Sequence, residues 1–135
     1  MSGIRAKDTK PEVVIRKALH ARGFRFRLHD SELPGRPDIV LRRYRSVVFV
    51  HGCFWHGHDC ALFRLPQTRQ VFWGAKIERN RMNDLKHLSM LLSAGWRVAI
   101  VWECSLRGRN ARIDAVSSQL SDWLRGTSVQ TEIRG

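Results

Sequence analysis

Residues 37–51 read PDIVLRRYRSVVFVH. The run before them, Ser31 to Pro37, contains Pro34, Gly35 and Pro37, which marks a turn. Asp38-Ile39-Val40-Leu41 then starts a short strand, and Arg42 to Arg45 forms a basic turn. Ser46-Val47-Val48-Phe49-Val50-His51 is nearly continuous in apolar residues, the pattern of an interior strand buried on both faces. Such a strand needs covering layers on both sides, which points to an α/β fold with a central sheet flanked by helices. Two neighbouring strands also bring Asp38, at the head of one, close to His51, at the end of the other.

The flanking segments supply those layers. Thr9-Lys10-Pro11-Glu12 reads as a capping box, with Glu12 reaching back to the Thr9 amide. A helix follows to about Arg22, with Val14, Ala18 and Ala21 on one side and Gly23 as its stop. Phe24 to Leu28 alternates with period 2, as a half-buried strand does. Ile77, Leu85, Leu88 and Leu92 mark the buried face of a long helix ended by Gly95, while Lys76, Asn80, Asn83 and His87 form a polar stripe elsewhere on it. Residues 96–102, WRVAIVW, are another interior strand, with Glu103-Cys104 at its exit. Ile113, Val116, Leu120, Trp123 and Leu124 lie at helical spacing in a last helix. The polar tail after about Gly126 is expected to fray. No repeat or linker interrupts the chain, so residues 1–135 are read as one domain of order αβββαβα.

Twenty-four Lys and Arg against 12 Asp and Glu give a formal charge of +12 over 135 residues. That balance favours a polyanionic partner, nucleic acid first. No long apolar run or basic amphipathic anchor favours a membrane, and the first residues lack an apolar signal core. The expected location is the cytoplasm. Three cysteines, Cys53, Cys60 and Cys104, suit metal thiolates better than a disulfide framework.

Residues 51–60, HGCFWHGHDC, pack three His, two Cys and one Asp into ten positions. Cys53, His58 and Cys60 with Cys104 make a Cys₃His set that suits tetrahedral Zn²⁺. His51 and His56 are then left over for acid–base work, because imidazole titrates near neutrality. Spacing does not decide which histidine binds, and a catalytic zinc with an open position fits the same residues. Phe54-Trp55 and Phe72-Trp73, set among basic residues, suit stacking on bases or wedging between them. Asp38 alone could hold Mg²⁺ if backbone carbonyls, water and phosphate complete the octahedron.

Taken together, LPGRPDIV (33–40), VVFVHGCFWHGHDC (47–60) and GWRVAIVWECSLRGR (95–109) closely resemble the very short patch repair (Vsr) DNA mismatch endonucleases. The likeness runs from IRAKDTKPE (4–12) to about Leu124. It implies a restriction-endonuclease-like fold of the PD-(D/E)xK type, here without the usual acid-x-Lys triplet, plus a structural zinc. It implies a strand-specific, Mg²⁺-dependent nick on the 5′ side of the T in T:G mismatches that arise by deamination of 5-methylcytosine. By the resemblance, Cys53, His58, Cys60 and Cys104 are zinc ligands, and Asp38 binds Mg²⁺. His56 activates water, His51 is a second active-site histidine, and Glu12 belongs to the edge of that site. Phe54, Trp55 and Trp73 wedge into the duplex; Lys76 and Asn80 are groove contacts. Val50 stands where the family has a threonine, and a main-chain carbonyl ligand to Mg²⁺ would tolerate the change. Family members carry a DNA-clasping segment before the IRAKDTKPE-like stretch; with Met1-Ser2-Gly3 before it here, that clasp is expected to be short or missing. A monomer is expected, functionally linked to a cytosine-5 methylase and other repair proteins. The rivals are a restriction-type endonuclease on paired DNA and a non-catalytic, zinc-stabilised DNA-binding module.

Overall fold

In a computed structural model, which describes residues 9–53, 56–58, 65, 67–106 and 110–135, the 37–51 stretch folds as two antiparallel strands, β2 (Ile39–Leu41) and β3 (Ser46–His51). Ile39 lies opposite Val48 and Leu41 opposite Ser46, across a 3-10 turn at Arg42–Tyr44. They sit inside a mixed sheet of order β1-β2-β3-β4-β5. Here β1 is Arg27–Leu28, β4 Arg97–Trp102 and β5 Gln130–Ile133. The helices are α1 (Lys10–Ala21), α2 (Gln70–Ser93) and α3 (Asn110–Arg125). β3 pairs parallel with β4, and β4 with β5. Parallel neighbours require crossovers, which α2 and α3 provide.

Strand alternation sorts the core into two layers. Ile39, Leu41, Val48, Ala99, Val101 and Ile133 pack with Ile15 and Leu19 of α1 and Val116, Leu120, Trp123 and Leu124 of α3. Val40, Val47, Phe49 and Val98 turn to the other side, against Leu91 of α2. By the same parity Asp38 and His51 leave the sheet on the α2 side.

Five sequence expectations are corrected. The segment after Gly126 does not fray but adds β5 to the sheet edge beside β4, so the order is αβββαβαβ. Thr9 makes no side-chain cap bond, because the buried Glu12 carboxylate pairs with His29 and Arg16 instead. The inward face of α1 is Ile15 and Leu19, not Val14, Ala18 and Ala21; the larger side chains reach the sheet. On α2, Leu85 is 63 % exposed while Ile77 and Leu91 are buried. A helix 24 residues long outruns the sheet beneath it, so its apolar spacing need not be a buried face. The alternating 24–28 segment is paired only at Arg27–Leu28.

Candidate active site

The ends of four strands meet at one edge of the sheet, the place where open α/β sheets bind ligands. His29 follows β1, Asp38 precedes β2, Val50 and His51 end β3, and Trp102 ends β4 opposite His51. The His29 amide donates to the Asp38 carbonyl at 3.2 Å, continuing the β1–β2 register. The Val50 amide donates to Asp38 Oδ2 at 2.7 Å. Helix α1 brings in Glu12, whose carboxylate pairs with His29 Nε2. One donor atom from each of Glu12, His29 and Asp38 lies within 4.8 Å of the others. Burial raises the Asp38 carboxyl to about 7, and the nearby Glu12 adds to the rise against the lowering effect of the Val50 bond. A buried carboxyl that resists ionising suits a place where a cation can offset its charge.

Beside them lies a second group. The His51 and His56 rings stack at 3.8 Å with planes 3° apart. His56 Nδ1 is 2.5 Å from Asp84 Oδ2 on α2. A carboxylate there holds the proton on Nδ1 and leaves the lone pair on Nε2. His51 is buried, and burial followed by the neighbouring His56 pushes its pKa well below the ordinary imidazole value. It therefore stays neutral. Asp38, His29, Arg36, His51, His56 and Asp84 line one cleft of about 290 Å³.

The third group is Cys53, His58 and Cys104, again with donor atoms within 4.8 Å of one another. Cys104 Sγ lies 3.6 Å from His58 Nδ1, and Cys53 is fully buried. The His56 amide donates to the Gly52 carbonyl at 3.2 Å and the His58 amide to the Cys53 carbonyl at 2.9 Å, which closes the loop. Gly57, at φ +62°, completes it: a Cβ there would meet Ile77 Cγ2 at 2.7 Å and Arg81 Cδ at 2.8 Å. The loop thus docks on α2 so closely that only glycine fits. Thiolates with one imidazole suit zinc, whereas carboxylates and backbone carbonyls suit a hard divalent cation. Cys60, Phe54 and Trp55 lie outside the described residues.

Trp102 joins the second and third groups. It stacks on His58 at 4.0 Å and meets His51 edge-on at 5.2 Å, and its indole N–H donates to Glu132 of β5. On α2, Trp73, Lys76 and Asn80 are half-buried. Trp73 packs edge-on with Phe72, which is 45 % exposed and lies under the Arg69 guanidinium at 4.1 Å. Sequence reasoning brought Asp38, His51 and His56 to one place, and Glu12 by resemblance. It missed His29 and Asp84. Asp84 continues the i, i+4 row from Lys76 and Asn80, a spacing that could have found it. His29 gives no such signal, because its placement depends on pairing across the sheet.

Residues 1–62 match the DNA mismatch endonuclease Vsr family. The chain is similar to DNA mismatch endonuclease Vsr of Escherichia coli K12, 46 % identical over 138 residues covering 100 % of this chain and 88 % of that protein. It is also similar to the type II nicking enzyme V.XorIIP of Xanthomonas oryzae pv. oryzae, 52 % identical with 78 % of each chain covered. The type II nicking enzyme V.NmeAIP of Neisseria meningitidis serogroup A is 46 % identical, with 81 % of this chain and 78 % of that protein covered.

Proposed function

This chain belongs to the Vsr family of DNA endonucleases, and from that premise we propose that it nicks one strand of duplex DNA 5′ to the T of a T:G mismatch left by deamination of 5-methylcytosine. The observation that carries the reading is one cleft holding both the buried carboxyl of Asp38 and a histidine, His56, oriented by Asp84.

Asp38 would hold Mg²⁺ through the oxygen that the Val50 amide does not occupy. In a strand the N–H and C=O of one residue leave on the same side, so the Val50 carbonyl faces the Asp38 edge and can serve with it, whatever the side chain at position 50. A cation held there by Asp38 and the Val50 carbonyl would supply Lewis-acid polarisation of the phosphate and offset charge on the leaving oxygen. His56 accepts a proton from water at Nε2, while Asp84 stabilises the imidazolium that forms. Neutral His51 supports the His56 ring by stacking and adds no like charge beneath it. Glu12 closes the inner edge of the site.

Cys53, His58, Cys60 and Cys104 would hold structural zinc. That ion ties the loop carrying His56 to the exit of β4, so the base keeps its position. Basic side chains supply most of the affinity by neutralising phosphates. Phe54, Trp55 and Trp73 would wedge where a wobble pair is weakly stacked, with Lys76 and Asn80 in the groove. The protein would work as a monomer in the cytoplasm, on the restriction-endonuclease-like fold, after a cytosine-5 methylase has acted.

The test uses labelled duplexes differing only in T:G or C:G, incubated with Mg²⁺. A single nick in the T strand of T:G alone is expected. Cutting of both duplexes would instead mark a restriction-type nuclease, and binding without cutting a non-catalytic module.

A further inference from the structure

His29 takes no part in the mechanism proposed above, yet it sits directly against Asp38 and Glu12. Its amide donates to the Asp38 carbonyl at 3.2 Å, its ring lines the same cleft, and one of its two ring nitrogens lies within 4.8 Å of a carboxylate oxygen of Glu12 and of Asp38. Its side chain is 13 % exposed and that of Glu12 is 2 % exposed, so neither is a freely solvated surface group. With Nε2 donating to the Glu12 carboxylate, the imidazole is held as the tautomer that carries its lone pair on Nδ1. A carboxylate on one ring nitrogen is how proteins orient histidines that bind metal through the other.

We infer that His29 is a nitrogen ligand to the catalytic cation, held for that purpose by Glu12, and that it tilts the site from Mg²⁺ towards a first-row transition ion of the Mn²⁺ class. This rests on the cation reading of the cleft given above. A site of oxygens alone suits Mg²⁺, which takes carboxylates, carbonyls and water. An imidazole adds little for that ion but raises affinity along the first transition row. His29 thus sets which divalent ion Asp38 keeps when both are present. Glu12 acts through His29 and is a positioning residue.

Mn²⁺ is the probe, because its affinity for thiolate sites is low and it leaves zinc in place. The zinc-loaded full chain is titrated with Mn²⁺ by electron paramagnetic resonance, with Mg²⁺ as competitor, and the bound ion is examined by pulsed methods for ¹⁴N hyperfine coupling. Three proteins are compared: the natural chain, His29→Gln and Asp38→Asn. Glutamine keeps a donor for Glu12 but removes the ring nitrogen. The natural chain should hold Mn²⁺ about tenfold or more tighter than Mg²⁺ and show coupling to a coordinated nitrogen. In His29→Gln that preference should collapse and the coupling disappear, with Mg²⁺ affinity within about twofold. Asp38→Asn should lose both ions. Bound Mn²⁺ without nitrogen coupling in the natural chain overturns the inference, as does coupling that survives in His29→Gln. The first of those outcomes needs no variant to fold. If Asp38→Asn binds both ions undiminished, the cation reading itself fails and takes the inference with it.

Discussion

Cys53 and His58, in a loop pinned to α2 by Gly57, come together with Cys104 from the exit of β4, and His58 lies on the flat face of Trp102. His29 and Asp38, with the buried Glu12 beside them, instead open on a cleft of about 290 Å³ that also holds His56 and Asp84. The first group has soft donors and a loop packed so tightly that a methyl group would not fit. The second has two carboxylates and an imidazole, a carboxyl that resists ionising, and open space beside it. Trp102 lies between the first group and the cleft, its ring touching His58 on one side and His51, which lines the cleft, on the other. Under the proposed mechanism one loop separates stability from chemistry: Cys53 and His58 fix it, while His56, between them in sequence, faces the cleft that Asp38 also lines.

Removing a group from the open cluster should abolish chemistry and spare the fold. Asp38→Ala is expected to lower nicking of a T:G duplex by roughly 10³-fold or more, about 4 kcal/mol, with zinc content unchanged. Removing one from the closed cluster should do the reverse. Cys104→Ser should release zinc and lower the Tm by on the order of 10 °C, and an unchanged Tm would mean that the thiols do not hold the domain together. Asp84→Asn lies between the two clusters in effect. It leaves both ligand sets intact but can donate to His56 Nδ1 and so favour the wrong tautomer. A fall in kcat of roughly 10–10³-fold is expected, with KM and zinc little changed.

The smallest effect concerns pH. Burial holds the Asp38 carboxyl up at about 7 when no cation is bound, against its ordinary 3.8. A raised carboxyl contributes its stability while protonated, and that contribution is lost as pH climbs from about 4 to about 7. Asp38→Asn should therefore raise the metal-free Tm by a few degrees at pH 8 and leave it unchanged at pH 4. For the same reason, Mg²⁺ must displace a proton below pH 7, so its apparent affinity should rise about tenfold per pH unit up to that point. A flat profile in calorimetric titration would place Asp38 away from the cation.

Much of this contrast is legible in the residues themselves. PDIV and SVVFVH declare two paired strands because turn residues and an apolar run bound them. The crowding of Cys and His in 51–60 declares a candidate metal loop because few other pressures produce it. Less was legible where long-range contacts decide. Gln130-Thr131-Glu132-Ile133 is a strand because it lies beside β4, yet only Ile133 is buried, so no apolar run announces it. Glu12 looks like a cap until His29, 17 residues away, outbids the Thr9 amide. Asp84 is one of many polar residues on α2 until His56 singles it out.

The division of labour between the two clusters is tested most directly by one paired measurement on the natural chain: zinc content and T:G nicking, before and after mild chelation, then with Mg²⁺ restored. The expected result is one zinc per chain throughout, nicking lost on chelation and recovered with Mg²⁺ alone. Nicking that persists without added divalent cation, or that follows zinc content and ignores Mg²⁺, would contradict it.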